Sequence, residues 1–209
     1  LTDDSEELMK EYLESGTVID WKHPEVFNLA RELSEGAQDV NEVARRCFEW
    51  VRDEIKHSYD YKLNPITCSA SEVLQAGTGY CFAKSHLLAA LLRANSIPAG
   101  LCYQRLSRDD DGAPYSLHGL NAVYLPNGRW YRVDPRGNRP GIDAQFMPPA
   151  EKLAFPISIE GEADLPEIWS EPLPVIVEAL HSHRTYDALW ENLPDLTLLP
   201  GKASSRIRE

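Results

Sequence analysis

The chain has 209 residues and a formal net charge of −12, from 21 basic and 33 acidic side chains. That length suits one domain with a sizeable core, and the acidic balance argues against a nucleic-acid partner, whose phosphates are bound mainly by clustered Lys and Arg. No stretch approaches the ~18 apolar residues that span a bilayer; the acidic opening Leu1-Thr2-Asp3-Asp4-Ser5-Glu6-Glu7 is the reverse of a signal peptide, so a cytoplasmic protein is expected, with the start at Leu leaving room for a segment removed ahead of it.

Residues 4 to 15 form an amphipathic helix candidate, and Pro24 suits the first turn of a second helix running to about Leu33. From Val40 the apolar positions Val40, Val43, Ala44, Cys47, Phe48, Val51 and Ile55 recur at helical spacing behind Asp39 and Glu42, which predicts a capped helix over 40–56. Ser69 with Glu72 reads as a second capping box, opening a short helix that ends at Gly77. The Gly77-Thr78-Gly79-Tyr80 turn then delivers the chain to Cys81. From Cys81 to Ala94 the apolar residues wrap nearly the whole helix, as in a central buried element, and Pro98 prevents its resumption. Three strands follow, over Ala99–Leu106, Leu117–Leu125 and Arg129–Asp134. Helices first and strands afterwards give an α+β fold. Beyond them, nine of the fifteen prolines lie between Pro140 and Pro200. This extension, 138–209, should wrap a core spanning about 40–137 as part of one domain, with short helices at Val175–His181 and Thr185–Asn192 and a frayed basic end from Lys202 to Glu209.

The hairpin between the last two strands fixes a geometry. Pro126-Asn127-Gly128 fits a three-residue loop with Gly in the left-handed conformation. Leu125 then opposes Arg129, Asp134 opposes Leu120, and His118 and Asp134 become diagonal neighbours on one face, within reach of each other. A two-residue loop would put them on opposite faces. Leu120, Ala122 and Trp130 share that face and are expected to form an apolar bed for the Cys81 helix.

The four cysteines, Cys47, Cys68, Cys81 and Cys102, show neither Cys-x-x-Cys pairing nor zinc-ligand spacing, so no metal and no cofactor are expected. Asp109-Asp110-Asp111-Gly112 lacks the Glu of a calcium loop and reads as a solvated turn. Cys47 and Cys102 read as small buried hydrophobes. Cys81 differs, because the unpaired N–H groups and dipole at a helix start favour an anion there, and a thiolate attacks acyl carbons. His118 and Asp134 follow in strands; a lone His is commonly structural, as His86, His181 and His183 should be. Helix-borne Cys with strand-borne His and Asp is nonetheless the set in which an imidazole takes the thiol proton and a carboxylate fixes its tautomer.

Ser69-Ala70-Ser71-Glu72-Val73-Leu74, Gly79-Tyr80-Cys81, Leu91-Leu92-Arg93-Ala94, Ile97-Pro98-Ala99, His118-Gly119-Leu120-Asn121-Ala122-Val123 and Trp130-Tyr131-Arg132-Val133-Asp134-Pro135 together resemble the transglutaminase-like cysteine hydrolase superfamily. The resemblance implies a papain-like core with Cys81, His118 and Asp134 as its triad. It also implies a peptide or other amide substrate, thioester chemistry, and either hydrolysis or transfer to an amine. The chain departs from animal transglutaminases in Tyr80 and Phe82, where those enzymes have Gln and Trp, and in lacking room for their extra β-domains. For the oxyanion, the Cys81 backbone N–H is one donor. The second is Tyr59 or Tyr61, from the aromatic segment before the nucleophile, or Gln75, six residues ahead of the cysteine as in papain-type proteases. A non-catalytic scaffold on the same fold, its cleft closed by the Pro-rich tail near Pro148 and Pro149, is the reading from a different class.

Overall fold

The computed structural model describes residues 9–196. The first part of the 4–15 helix candidate and the end at Lys202–Glu209 lie outside the described residues; of that candidate, Met9 and Lys10 are helical and lead into a single 3-10 turn, Glu11–Leu13. Helix α1 spans Pro24–Ser34 with Pro at its first turn, and α2 spans Val40–Glu54, capped by the Asp39 side chain, which accepts from the Glu42 N–H at 2.8 Å. Helix α2 stops short of the expected residue 56 because Ile55 turns extended and Lys56–His57 becomes a strand, β1. A four-residue helix, α3 (Ser58–Tyr61), follows; neither element carries a periodic signal in so short a stretch. Helix α4 (Ala70–Ala76) is opened by the full Ser69–Glu72 capping box and closed by Gly77 at φ 65°, a conformation costly for any residue with a Cβ. Strand β2, Thr78–Gly79, pairs in parallel with β1.

Helix α5, Cys81–Ala94, is buried from Cys81 to Arg93, so its lack of a polar stripe reflects a position inside the molecule. Arg93, near its end, donates to the carbonyls of Ala99, Glu14 and Ser170, tying the chain just after the helix and two distant segments to it. The sheet that α5 packs on has the order β5-β4-β3-β8, all antiparallel, with β3 at Ala99–Ser107, β4 at Tyr115–Leu125, β5 at Arg129–Val133 and β8 at Ala163–Asp164. Strands β6 (Gln145–Met147) and β7 (Ala150–Lys152) form a separate hairpin. In the extension, α6 (Pro174–Ser182) and α7 (Tyr186–Glu191) match the expected helices, and Ile176, Leu180 and Leu189 enter the main core, so this segment completes the core as well as covering it. No helix among the described residues is long and apolar enough to cross a membrane.

The β4–β5 register is the one the three-residue loop requires: Leu125 pairs with Arg129 and Asn121 with Val133, while Gly128 sits at φ 77° and donates to the Leu125 carbonyl at 2.9 Å. The apolar bed is a correction. Leu120 and Ala122 cluster with Cys102, Trp130, Leu153 and Ile168 as a second, smaller core, apart from the main one that holds α5. Helix α5 instead meets the odd-numbered face: a Cβ on Gly119 would lie 2.8 Å from the Phe82 ring, and Asn121 donates to the Ser85 carbonyl at 2.9 Å. Alternation divides the residues of β4 correctly between two faces, but both faces are covered, and parity alone does not say which cover is the helix.

Candidate active site

Strand β5 ends at Val133, whereas β4 continues back to Tyr115. The β4 edge that faces β5 is therefore unpaired by the sheet beyond Asn121, and the start of α5 fills the first vacant position. There the Gly119 N–H points at Cys81 Sγ, 3.5 Å away. The absence of a side chain at Gly119 permits this approach, since any Cβ would run into the Phe82 backbone and ring.

Asp134 follows the last residue of β5 and is fully buried. Its Oδ2 lies 2.7 Å from His118 Nε2 and accepts from the Ala154 N–H at 3.3 Å, while Oδ1 accepts from the Arg136 N–H at 3.0 Å. Burial alone would raise the carboxyl pKa, but the His118 charge and these donors hold it below the usual carboxylate value. For His118 the balance also favours charge. Burial disfavours the imidazolium, yet the Asp134 carboxylate and then the Cys81 sulfur, by charge and by hydrogen bond, push its pKa up to about 10. The ring of Phe155 stands edge-on to His118 at 5.0 Å, keeping water from the imidazole–carboxylate pair.

Since His118 holds its proton more tightly folded than unfolded, the ionised ring contributes stability that is fully present below about pH 6.5 and is lost as pH rises through about 10. Lys84, whose amine burial and then Arg136 push down to about 7, contributes in the opposite sense over the same range. A difference measurement isolates the ring. The gap in unfolding free energy between the parent and His118→Asn, from urea denaturation, should be wide at pH 6.5 and narrow at pH 10; a gap that widens instead would mean that the ring is neutral in the fold.

A further layer supports the loop after Asp134. Arg136 and Asp60 form a two-bond ion pair at 2.7 and 2.9 Å, and both side chains are largely buried. The Arg136 guanidinium also lies over Phe155 at 5.6 Å. His57 stands edge-on to Tyr80, with its Nδ1 3.8 Å from Asp60, and burial holds it neutral. Lys84, one turn along α5 from Cys81, donates to the carbonyls of Arg52 and Ile55. None of this layer was singled out from the sequence, because Asp60 and Arg136 lie 76 residues apart and no local pattern couples them.

The structure brings Cys81, His118 and Asp134 together. It does not bring Gln75 to them: this residue is exposed, and its amide donates to Glu25 at 3.0 Å. Tyr61 is exposed as well, with Lys56 over its ring. Tyr59 stacks on Trp190 at 4.0 Å and meets Tyr186 edge-on. The Gly119 N–H, which sequence reading did not nominate, is the backbone donor aimed at the sulfur. His86 is buried with its Nδ1 on the Cys68 carbonyl, a structural role, and burial pushes its pKa down to about 4. Among the described residues no group of three or more His, Cys, Asp or Glu is placed to hold a metal ion.

A family model described as the transglutaminase-like superfamily matches residues 28–135, just over half of the chain. Among solved structures, a protein described as a candidate cysteine protease from Cytophaga hutchinsonii is similar at 20% identity with a TM-score of 0.52, over 65% of this chain and 43% of that one. The periplasmic domain of TgpA from Pseudomonas aeruginosa is similar at 20% identity with a TM-score of 0.43, over 59% of this chain and 45% of that one. The chain thus spans less than half the length of these structures, and the first likeness speaks for the fold alone. No curated protein matches it.

Proposed function

The chain belongs to the transglutaminase-like superfamily, and we propose that it acts as a cysteine-dependent amide or peptide hydrolase with Cys81 as nucleophile, His118 as acid and base, and Asp134 as the group that orients His118. The observation that carries this reading is the position of His118, bonded to the buried Asp134 at 2.7 Å and next in the strand to Gly119, whose N–H lies 3.5 Å from the Cys81 sulfur. In the first half-reaction the sulfur, its proton transferred to His118, adds to the amide carbonyl. The resulting oxyanion is met by backbone N–H groups at the α5 start. His118 then gives its proton to the departing nitrogen as the C–N bond breaks, leaving a thioester on Cys81 and a free amine. In the second, His118 takes a proton from water, the hydroxide adds to the thioester, and collapse breaks the C–S bond, expelling the Cys81 thiolate beside the protonated His118 and releasing the acid. Asp134 keeps the imidazole facing the sulfur throughout and offsets its charge.

The experiment is to trap the thioester. With a panel of peptide amides, acid quenching followed by mass spectrometry should find the acyl mass on the peptide that carries Cys81. A primary amine added in excess then separates water from amine as the acceptor, because amide product at the expense of acid would identify acyl transfer. Turnover without any adduct on Cys81 would overturn the reading.

One observation favours a non-catalytic scaffold instead: Cys81 is 7% exposed and His118 6%. Against it stands the cost of burying a hydrogen-bonded His–Asp pair beside a cysteine, for which a scaffold has no use.

A further inference from the structure

The unpaired edge of β4 offers two outward N–H groups beyond Asn121. Gly119 meets the Cys81 sulfur, and Leu117, one position further along, donates to the Pro194 carbonyl at 2.8 Å. The segment carrying Pro194 comes from the other half of the molecule. Tyr80, immediately before Cys81, donates its hydroxyl to the Tyr186 carbonyl, and the Tyr186 N–H donates to the Asn64 side chain at 2.8 Å. Trp190 lies between the Tyr59 ring, at 4.0 Å, and the Arg108 guanidinium, at 4.8 Å, and its carbonyl accepts from Arg108 at 2.7 Å. Asp195 is gripped by both nitrogens of the Arg105 fork at 2.6 and 2.7 Å. The segment is thus fastened to the residue before the nucleophile at one end and to the residue before the histidine at the other. It bridges the helical and sheet halves across the line between them.

We propose that residues 183–196 occupy the groove in which the acyl substrate lies, and that this substrate is a polypeptide which replaces Pro194 by pairing its own backbone with Leu117 on the β4 edge. The proposal rests on the hydrolase reading and adds to it a substrate class and a closed state. An open strand edge that ends at a reactive sulfur is suited to an extended chain, because main-chain hydrogen bonds bring any sequence into register and deliver a carbonyl to a fixed point. Besides the buried Leu189, its present occupant is held by backbone groups of Tyr186, Trp190 and Pro194, by the Trp190 ring and by the Asp195 carboxylate; an incoming peptide can reproduce the hold on the β4 edge with its own backbone, one aromatic side chain and one carboxylate. Bound in cis, the segment competes at high effective concentration.

The test reads access to Cys81 separately from turnover. Trp190→Ala removes the side chain held between Tyr59 and Arg108; since Leu189 beside it is buried in the main core, near-ultraviolet circular dichroism checks the fold. In a second protein a specific protease site is inserted at the exposed bend Arg184–Thr185, so that the segment is released by cutting after folding. Alkylation of Cys81 by iodoacetamide, followed by peptide mass mapping, should be at least tenfold faster in either opened protein than in the parent. Excess synthetic peptide of residues 183–196 should slow it again in the cut protein. Equal alkylation rates in closed and opened proteins would overturn the proposal. So would parent turnover of a long peptide as fast as that of the opened forms, although the hydrolase reading would then stand. Faster alkylation with no turnover in any form would keep the segment as an occupant of the groove and remove the hydrolase.

Discussion

Cys81→Ala is expected to leave the fold standing and to lower turnover of any amide substrate by about four orders of magnitude or more, because the residues of a nucleophile–base pair act as a unit and the loss of either removes the covalent path. The substitution deletes one buried sulfur that accepts from the Gly119 N–H, so its structural cost is a small cavity and one unpaired backbone donor, and the thermal midpoint should fall by only several degrees. Cys81→Ser is the sharper comparison. The hydroxyl occupies nearly the same volume, but a serine alkoxide is far harder to form than a thiolate, and a site built around an imidazolium has its proton in the wrong place for serine. Both variants should be inactive, with Cys81→Ser, which keeps an acceptor for the Gly119 N–H, the closer to the parent in stability. Retained turnover in Cys81→Ala, with the protein pure and folded, would move the chemistry elsewhere.

The parts of this site that could be read from the sequence are those that depend on neighbours in the chain. The capping box at Ser69 and Glu72, the left-handed Gly77 and the buried run of α5 together place Cys81 at a helix start, and each follows from residues no more than a few positions apart. The hairpin extends that logic to longer range: because Pro126-Asn127-Gly128 admits a three-residue loop, the pairing of His118 and Asp134 follows from counting along two strands. Where the count stopped, so did the reading. Parity placed Leu120, Ala122 and Trp130 on one face but could not assign that face to α5, since a sheet covered on both sides gives two apolar faces. Gln75 has the sequence spacing of an oxyanion donor, yet α4 presents it to solvent and to Glu25. Spacing in the chain does not fix which way a helix turns its side chains. The Ala154 N–H and the Phe155 ring reach Asp134 and His118 from a proline-rich stretch with no periodic signal, and the Asp60–Arg136 pair joins segments 76 residues apart.

That ion pair yields the largest expected loss of stability. Asp60 is 12% exposed, Arg136→Ala removes its two-bond partner, and breaking a buried pair from one side costs about 3–5 kcal/mol. Two groups near Asp60 bound the effect. Arg139, 3.7 Å away but half exposed, can take up part of the charge, whereas His57 at 3.8 Å is held neutral by burial and Arg136 and gains its proton more easily once Arg136 is gone. The loss should therefore fall toward the lower end of the range and shrink further as pH drops, when His57 can ionise. Replacing both partners with apolar residues of similar length, Asp60→Leu with Arg136→Met, removes the stranded charge, and most of the lost stability should return. Turnover should not return with it. The guanidinium lies over Phe155 and anchors the loop whose Arg136 N–H holds Asp134 Oδ1, and an apolar pair restores packing without that directional hold. Urea denaturation of the parent, of Asp60→Leu and Arg136→Met singly and of the double variant, with turnover measured on each, closes the cycle. A double variant that recovers activity along with stability would reduce the pair to a packing element. Recovered stability with depressed kcat and little change in KM would assign it to positioning the Asp134 carboxylate behind His118.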